Sequence, residues 1–578
     1  MESIGPFIVE QLATWEVPGC AVAAVKDGEV ILAAGWGTRD VAADLPVTRD
    51  TLFAIGSVTK SFTAATVGAL VDDGLLGWDT PVRDYLPGLR LADPVVSDRV
   101  TVTDLLSHRS GMARHDLSWL AHPEWSRAEL VRRLRFLPLG ADLREEFRYC
   151  NIGYSLAGHL VDVLGGTTWE EFLRARLLTP LGMHRSNLTV DDMCADPDHA
   201  TGYERRQESV VRVSTREAGP ATGPAGAINS CAADMARWLL AQAGGGAVDG
   251  TQVMSPGTLT RQHTAHMLIP ENRTFPESTR HAYGFGWVLG QYRGHRIAEH
   301  NGGIDGFLCD CAVLPDDRVG VVVLTNTTSG GAFAPIVVYR VLDELLGMDP
   351  HDWSTDFKAR VDAGRAGLKE ARAARRVVPD APPPRPPAAY AGEYEHPGYG
   401  TFSVTIDGDT LRPRFGVLDL SMAHRHYEVF DLQWHELGGD YPVMPVTFLS
   451  DPDGFVTALT VRLDLAAEPI RFDRLPDAQA RDPQVLRGLC GTYTMGPLSL
   501  VVALASDTVL TVKIPGVPPL ELLPGRGLCF GVRGAPAASA EFELDEAGEV
   551  TRLIAQPIGI FVPAPTQAPS PVEAEAGH

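Results

Sequence analysis

At 578 residues the chain is too long for one hydrophobic core, and a prior of roughly 100 to 200 residues per domain predicts about three domains. Its 44% hydrophobic and 21% charged residues are those of an ordinary soluble globular protein with a large core. A formal net charge of -23 argues against nucleic acid or an anionic membrane as partner, since phosphate binding needs a concentrated basic surface.

The first ten residues contain neither a basic n-region nor an apolar h-region, and no apolar run approaches the roughly 20 residues of a spanning helix, so a cytoplasmic location is expected. The eight cysteines, Cys20, Cys150, Cys194, Cys231, Cys309, Cys311, Cys490 and Cys529, are too thinly scattered for a disulfide framework.

In chain order, Val17–Lys26 and Glu29–Gly35 predict two strands about an Asp27-Gly28 turn. A helix is predicted from Ser57 through Val71. Amphipathic helices and Gly/Pro-rich loops alternate between about 100 and 245, and strand character returns at Gly284–Gly290, Cys309–Leu314 and Val319–Thr325. Strands at both ends with helices between them predict one α/β (α+β) unit whose ends pair in a common sheet. Alternate spacing puts Cys309 and Cys311 on one strand face, where core thiols are expected. Residues 351–376, rich in Ala, Arg and Glu, predict a helix, and the proline run Val377–Pro387 a semi-rigid linker. Beyond it come short strands and turns. Gly392-Glu-Tyr394 and Gly491-Thr-Tyr493 stand 99 positions apart and each precedes alternating strand-like segments, so two small antiparallel β-barrels or sandwiches in tandem are expected. The expected division is 1–376, the linker 377–387, barrels at 388–480 and 481–563, and a disordered Pro/Ala/Glu-rich tail at 564–578.

Lysine is scarce, 5 against 45 arginines, and Ser57-Val-Thr-Lys60 is the only Ser-x-x-Lys. A guanidinium stays protonated in proteins, whereas a desolvated ammonium can lose its proton and serve as a base. The apolar runs Phe53–Gly56 and Ser61–Val71 place Ser57 at the opening of a buried helix. Its hydroxyl and the Lys60 ammonium then share one face at i and i+3, near a helix N-terminus that favours negative charge. The pattern suits an activated nucleophile, although alone it fits a helix cap beside a surface lysine equally well. Two later segments add what this pair lacks. Tyr149-Cys150-Asn151 offers a phenol and a carboxamide two residues apart, on a loop just before a helical run. Glu299-His300-Asn301-Gly302-Gly303 puts a histidine at a glycine-rich strand start, where backbone can approach a ligand closely.

Gly56–Lys60, Tyr149-Cys-Asn151 and His300-Asn-Gly302, supported by Val17-Pro-Gly19, Leu105–Gly111 and Val321–Asn326, together resemble the serine β-lactamase and penicillin-binding-protein superfamily over about residues 5–345. Within it the chain is similar to the class C-related branch of D-aminopeptidases, D-Ala-D-Ala carboxypeptidases, esterases and biosynthetic acyltransferases. The resemblance implies a β-lactamase-like catalytic domain, an antiparallel sheet flanked by helices with a helical subdomain. It also implies roles. Ser57 attacks a carbonyl to give an acyl-enzyme; Lys60 and Tyr149 share the proton traffic, the base being open between them; Asn151 orients the substrate amide and Lys60. The backbone N–H groups of Ser57 and Gly303, next to Gly302, form an oxyanion hole. Neither metal nor cofactor is called for.

Two departures carry expectations of their own. His300 stands where a lysine is usual, so a fixed cation gives way to a group titrating near neutral pH. That weakens the case for an enzyme clamping a free substrate carboxylate and points towards the aminopeptidase, amidase and esterase members. Cys150 replaces a small polar residue and is expected to be an inert filler, while His108 and Arg109 are assigned to a structural turn. The tandem barrels, with His396-Pro-Gly-Tyr-Gly400 in the first, resemble the lipocalin-like barrels appended to D-aminopeptidases, in which a barrel loop can reach the cleft; such a loop is expected here to select short or amine-bearing donors.

The leading expectation is a metal-free serine hydrolase of small amides or esters, foremost N-terminal D-amino-acid peptides. Exclusion of water and binding of an amine would instead make a biosynthetic transacylase or peptide cyclase. A catalytically silent ligand sensor or scaffold is the rival from another class, disfavoured because Ser57, Lys60 and Tyr149 are all retained. The expected partners are a small-molecule or short-peptide acyl donor and, for transfer, an amine acceptor; homo-oligomerisation stays open.

Overall fold

The computed structural model describes residues 2–206, 209–215, 219–434, 443–452, 454–464 and 467–565. Strands Gly19–Lys26 and Val319–Thr325 are apolar almost throughout, and they lie inside a sheet covered on both faces. They pair antiparallel, Val22 opposite Val323, so the two ends of this unit meet in one sheet as expected. Alternation divides their side chains. Ala21, Ala23, Val322 and Leu324 enter a core shared with Phe62 and Trp238 of helices Thr59–Asp72 and Ala232–Ala243. Cys20, Val22, Val321 and Val323 enter another, shared with Ile8 and Val337 of helices Ile4–Thr14 and Phe333–Leu346. Only continuous apolar strands can satisfy two such cores.

The sheet has nine strands, in the order Met267–Phe275, Ser278–Tyr283, Val288–Tyr292, His295–Ile304, Phe307–Leu314, Val319–Thr325, Gly19–Lys26, Glu29–Asp40 and Leu45–Pro46. Helix Thr59–Asp72 is buried from Thr59 to Leu70, enclosed on all sides, and so carries no polar stripe.

The strand expected over 284–290 is broken. Strand Ser278–Tyr283 ends, Gly284 to Trp287 turn, and pairing resumes at Val288–Tyr292. A Cβ on Gly286, whose φ is +77°, would lie 2.6 Å from Cα of Ser61. Close contact with the helix behind Ser57 therefore bends a segment that periodicity reads as strand. His300 likewise lies within the longer strand His295–Ile304 rather than at a strand start. Cys309 and Cys311 are buried core thiols in Phe307–Leu314.

After helix Trp353–Ala373 come two closed barrels of eight antiparallel strands each. In the first, Gly392–His396 pairs with both Gly400–Asp407 and the final strand Ile470–Arg474; in the second, Gly491–Met495 pairs with both Leu498–Ser506 and Gly559–Pro563. Closure, rather than stacking into sandwiches, removes the exposed sheet edges. The repeated tyrosine has a repeated job. Buried Tyr394 donates its hydroxyl proton to the Tyr390 carbonyl at 2.7 Å, and Tyr493 donates to the Leu489 carbonyl at 2.8 Å, each reaching four residues back to tie down the entry to its barrel. Residues 566–578 of the tail expected to be disordered lie outside the described residues. Among the described residues no helix is long and apolar enough to cross a membrane.

Removing either hydroxyl leaves a carbonyl short of its donor, at about 1 to 2 kcal/mol. Tyr394→Phe and Tyr493→Phe are each expected to lower amide hydrogen-exchange protection in the barrel that carries the substitution, with the other barrel unchanged.

Candidate active site

Ser57 lies in the tight turn Gly56–Val58 that feeds helix Thr59–Asp72. The turn presses on strand His295–Ile304 just past the point where that strand loses its pairing with Val288–Tyr292, at Glu299. Two glycines allow the approach. A Cβ on Gly56, at φ +52°, would sit 2.7 Å from the Gly303 nitrogen; one on Gly302 would sit 1.9 Å from the Ile55 carbonyl oxygen and 2.9 Å from the Ser57 nitrogen. Side chains at either position would push the backbones of Ser57 and Gly303 apart.

Lys60 follows one helical turn on, as its spacing predicts. It is fully buried, and its Nζ contacts Ser57 Oγ at 2.9 Å and donates to the Ala225 carbonyl at 2.8 Å. Desolvation is the main force on its ammonium and brings it down to about 7, with Asp116 opposing the fall and Arg114 adding to it. Tyr149 shares a hydrogen bond with Ser57, and burial holds its phenol well above the usual range. The Lys60 nitrogen stands 5.0 Å from the Tyr149 ring centre. A hydroxyl thus lies beside an amine that can be neutral at pH 7 and a phenol that stays protonated.

Asn151 is the first residue of helix Asn151–Gly165, and its Nδ2 donates to Asp116 Oδ1 at 3.0 Å. Its side chain is thus engaged by Asp116. The expectation for His300 is corrected. Its Nδ1 meets the Asn301 carbonyl at 2.6 Å and its Nε2 meets the Tyr283 hydroxyl at 2.9 Å. Those partners assign the proton to Nδ1 and make Nε2 an acceptor. Burial first, and Lys60 second, pull the imidazole down to about 3, so it is neutral across the physiological range instead of titrating within it. Cys150 is buried, donates its thiol to the Ala113 carbonyl at 3.2 Å and is pushed up to about 12, as expected of an inert filler.

Sequence reasoning passed over three neighbours of this group. His108, assigned to a turn, does sit in one at φ +58°, but its ring lies 4.3 Å from the Tyr149 ring and its Nδ1 accepts the Cys150 backbone N–H at 3.1 Å, bracing the Tyr149–Asn151 segment. Arg114 places its guanidinium 5.3 Å from the Tyr149 ring centre and pairs with Asp116, which in turn holds Asn151. Neither pattern is periodic; the local hint was the Leu105–Gly111 run, which contains His108 and precedes Arg114 and Asp116. Among the described residues no group of three His, Cys, Asp or Glu side chains could hold a metal ion.

The family described as Beta-lactamase matches residues 7–345, and a domain of unknown function, DUF3471, matches residues 376–474. An unguisins hydrolase of Aspergillus violaceofuscus is 32% identical, over 78% of this chain and 86% of its own. Penicillin-binding protein 4 of Amycolatopsis lactamdurans is 33% identical over 57% of this chain and 87% of its own, and a D-aminopeptidase of Brucella anthropi is 30% identical over 60% and 62%. In fold, the chain is similar to the octameric penicillin-binding protein homologue from Pyrococcus abyssi, at a TM-score of 0.54 and 24% identity over 82% of this chain and 99% of that one. The chain belongs to the beta-lactamase family and is a serine hydrolase with D-aminopeptidase relatives.

Proposed function

We propose that the protein hydrolyses small amides and short peptides, foremost those with an N-terminal D-amino acid, through an acyl-enzyme on Ser57. The observation that carries this reading is the 2.9 Å contact between Ser57 Oγ and a fully buried amine held to about 7. Neutral Lys60 takes the Ser57 proton as Oγ attacks the substrate carbonyl. The oxyanion that forms is met by the backbone N–H groups of Ser57 and Gly303, each donor worth about 3 to 4 kcal/mol. Tyr149, kept protonated by burial, gives its proton to the leaving nitrogen as the C–N bond breaks and regains one from Lys60. Water then adds to the acyl group, its proton travels back to Ser57 Oγ, and the free acid leaves.

The D-aminopeptidase among the relatives supports an amine-bearing donor, and the neutral His300 leaves the third motif without a fixed cation. An amine in the place of that water would turn the same acyl-enzyme to transfer. The relatives named as a hydrolase and an aminopeptidase favour water.

Intact-protein mass spectrometry with D- and L-aminoacyl amides, simple esters and a β-lactam, with and without added amines, tests the reading. Adducts on wild type but not on Ser57→Ala, with free acid accumulating, are expected; amine-trapped product without hydrolysis would replace hydrolysis by transfer, and no adduct from any donor would overturn the acyl-enzyme. Lys60→Arg is expected to slow acylation by about 10²-fold to 10⁴-fold, because a guanidinium cannot act as the base.

The pH dependence follows from Lys60. The kcat/KM profile is expected to rise through an apparent pKa near 7 as the amine deprotonates. Asp116 favours the ammonium and Arg114 opposes it, so Asp116→Asn should move this limb to lower pH and Arg114→Gln to higher pH.

Burial of this lysine also costs stability. Its native pKa lies below the ordinary 10.5, so the unfolded chain binds the extra proton between about 7 and 10.5 and wild-type stability gains from Lys60 as pH rises through that window. Lys60→Met should therefore abolish turnover yet raise unfolding stability by on the order of 1 to 3 kcal/mol at pH 6, with the gain shrinking towards pH 10, as read by urea unfolding at both.

A further inference from the structure

The turn that carries Arg114 and Asp116 is held from outside the catalytic domain. Asp464, on the connection between strands Val456–Val461 and Ile470–Arg474 of the first barrel, accepts the backbone N–H of Arg114 at 2.7 Å and of His115 at 3.2 Å. His115 occupies the left-handed region at φ +46°, a conformation that needs such support in a residue other than glycine. Its ring is clamped as well, Nδ1 against the Tyr399 hydroxyl of the barrel at 2.7 Å and Nε2 against the Pro138 carbonyl at 2.8 Å.

The pair delivered by this turn has spare capacity of one kind only. Asp116 Oδ1 accepts from Asn151 Nδ2 at 3.0 Å and from Trp119 Nε1 at 3.2 Å, and its Oδ2 takes Nε and a terminal nitrogen of Arg114 at 2.8 and 2.6 Å. A carboxylate offers about four acceptor sites, and these are filled. Arg114 has five N–H donors in a planar fork, of which this pairing engages two sides at most. Its side chain is 52% exposed while its guanidinium stands beside Tyr149. Beside Tyr149, Arg114 carries a permanent positive charge that neither the neutral His300 nor the buried Lys60, committed to Ser57, supplies.

We propose that Arg114 binds a carboxylate of the acyl donor at the mouth of the cleft, and that Asp464 of the first barrel is the positioning residue that holds it there. The notion that a barrel loop selects donors gains a named contact here and a changed chemistry, preference for an anionic group carried by the donor in addition to any amine.

This inference rests on the acyl-donor cleft proposed above, so its test avoids turnover. Binding of D-alanyl-D-alanine and of its C-terminal amide to full-length Ser57→Ala protein is measured by isothermal titration calorimetry. The free carboxylate is expected to bind roughly ten-fold tighter or more, the span of one charge-assisted bidentate contact. Adding Arg114→Gln should bring the ratio to about one. Asp464→Ala should lower the ratio at least about three-fold, Asp464→Asn less because one acceptor remains, and Asp464→Ala should change nothing further once Arg114→Gln is present. A purely structural role for Asp464 would weaken both peptides alike and leave the ratio unchanged, which would overturn the barrel's part. Equal binding of the two peptides, binding of neither, or a ratio that survives Arg114→Gln would overturn the role of Arg114. Failure of wild type to hydrolyse any donor would overturn the proposed reaction and leave this binding test standing.

Discussion

The structure is organised around one costly act, the complete burial of the Lys60 amine. A charged ammonium cannot be taken out of water without a penalty of several kcal/mol unless it is paired, and among the described residues no carboxylate touches this one; its direct partners are a serine hydroxyl and a backbone carbonyl. The amine responds by giving up its proton more readily. The base proposed for the reaction follows from that burial. The helix carrying it is enclosed on all sides, which requires an apolar sheet face against it; the opposite face is covered by helices Ile4–Thr14 and Phe333–Leu346, so the first and last strands of the domain are apolar almost throughout. Fold and chemistry therefore make the same demand on the sequence.

Close backbone approach is the second constraint. Gly56, Gly286 and Gly302 lie where any side chain would collide with neighbouring main chain around the Ser57 turn and its helix. They let a turn, a helix and a strand crowd together closely enough to bring the backbones of Ser57 and Gly303, from distant parts of the chain, side by side. The same crowding makes the neighbouring groups neutral. His300 and Tyr149 are held in their uncharged forms by burial, so the site's electrostatics come from the amine, the backbone amides and the Arg114–Asp116 pair.

Much of this was legible in the sequence. The motif at Ser57 and Lys60, the phenol and carboxamide at Tyr149 and Asn151, and the glycines at 302 and 303 are local patterns whose spacing carries geometry, and the structure brings them together. The tandem tyrosines foretold two barrels because each makes the same short-range hydrogen bond four residues back. What escaped was set by long-range contact. The break at Gly284–Trp287 comes from a helix more than 200 positions away in sequence; the tautomer and charge of His300 depend on Tyr283; and the turn at Arg114 is shaped by an aspartate 350 positions downstream. Periodicity and motif spacing hold no record of such contacts.

The central claim is that Lys60 is a lysine with its proton poised near neutral pH. The scarcity of lysine makes this directly measurable: five Nζ groups, including that of Lys60, can be followed in protein labelled with ¹³Cε lysine, with the Lys60 signal assigned by its loss in Lys60→Met. This one resonance is expected to titrate near pH 7, well below the ordinary lysine value. If the Lys60 resonance instead titrates near 10.5, the amine is not the base and the account of the site fails.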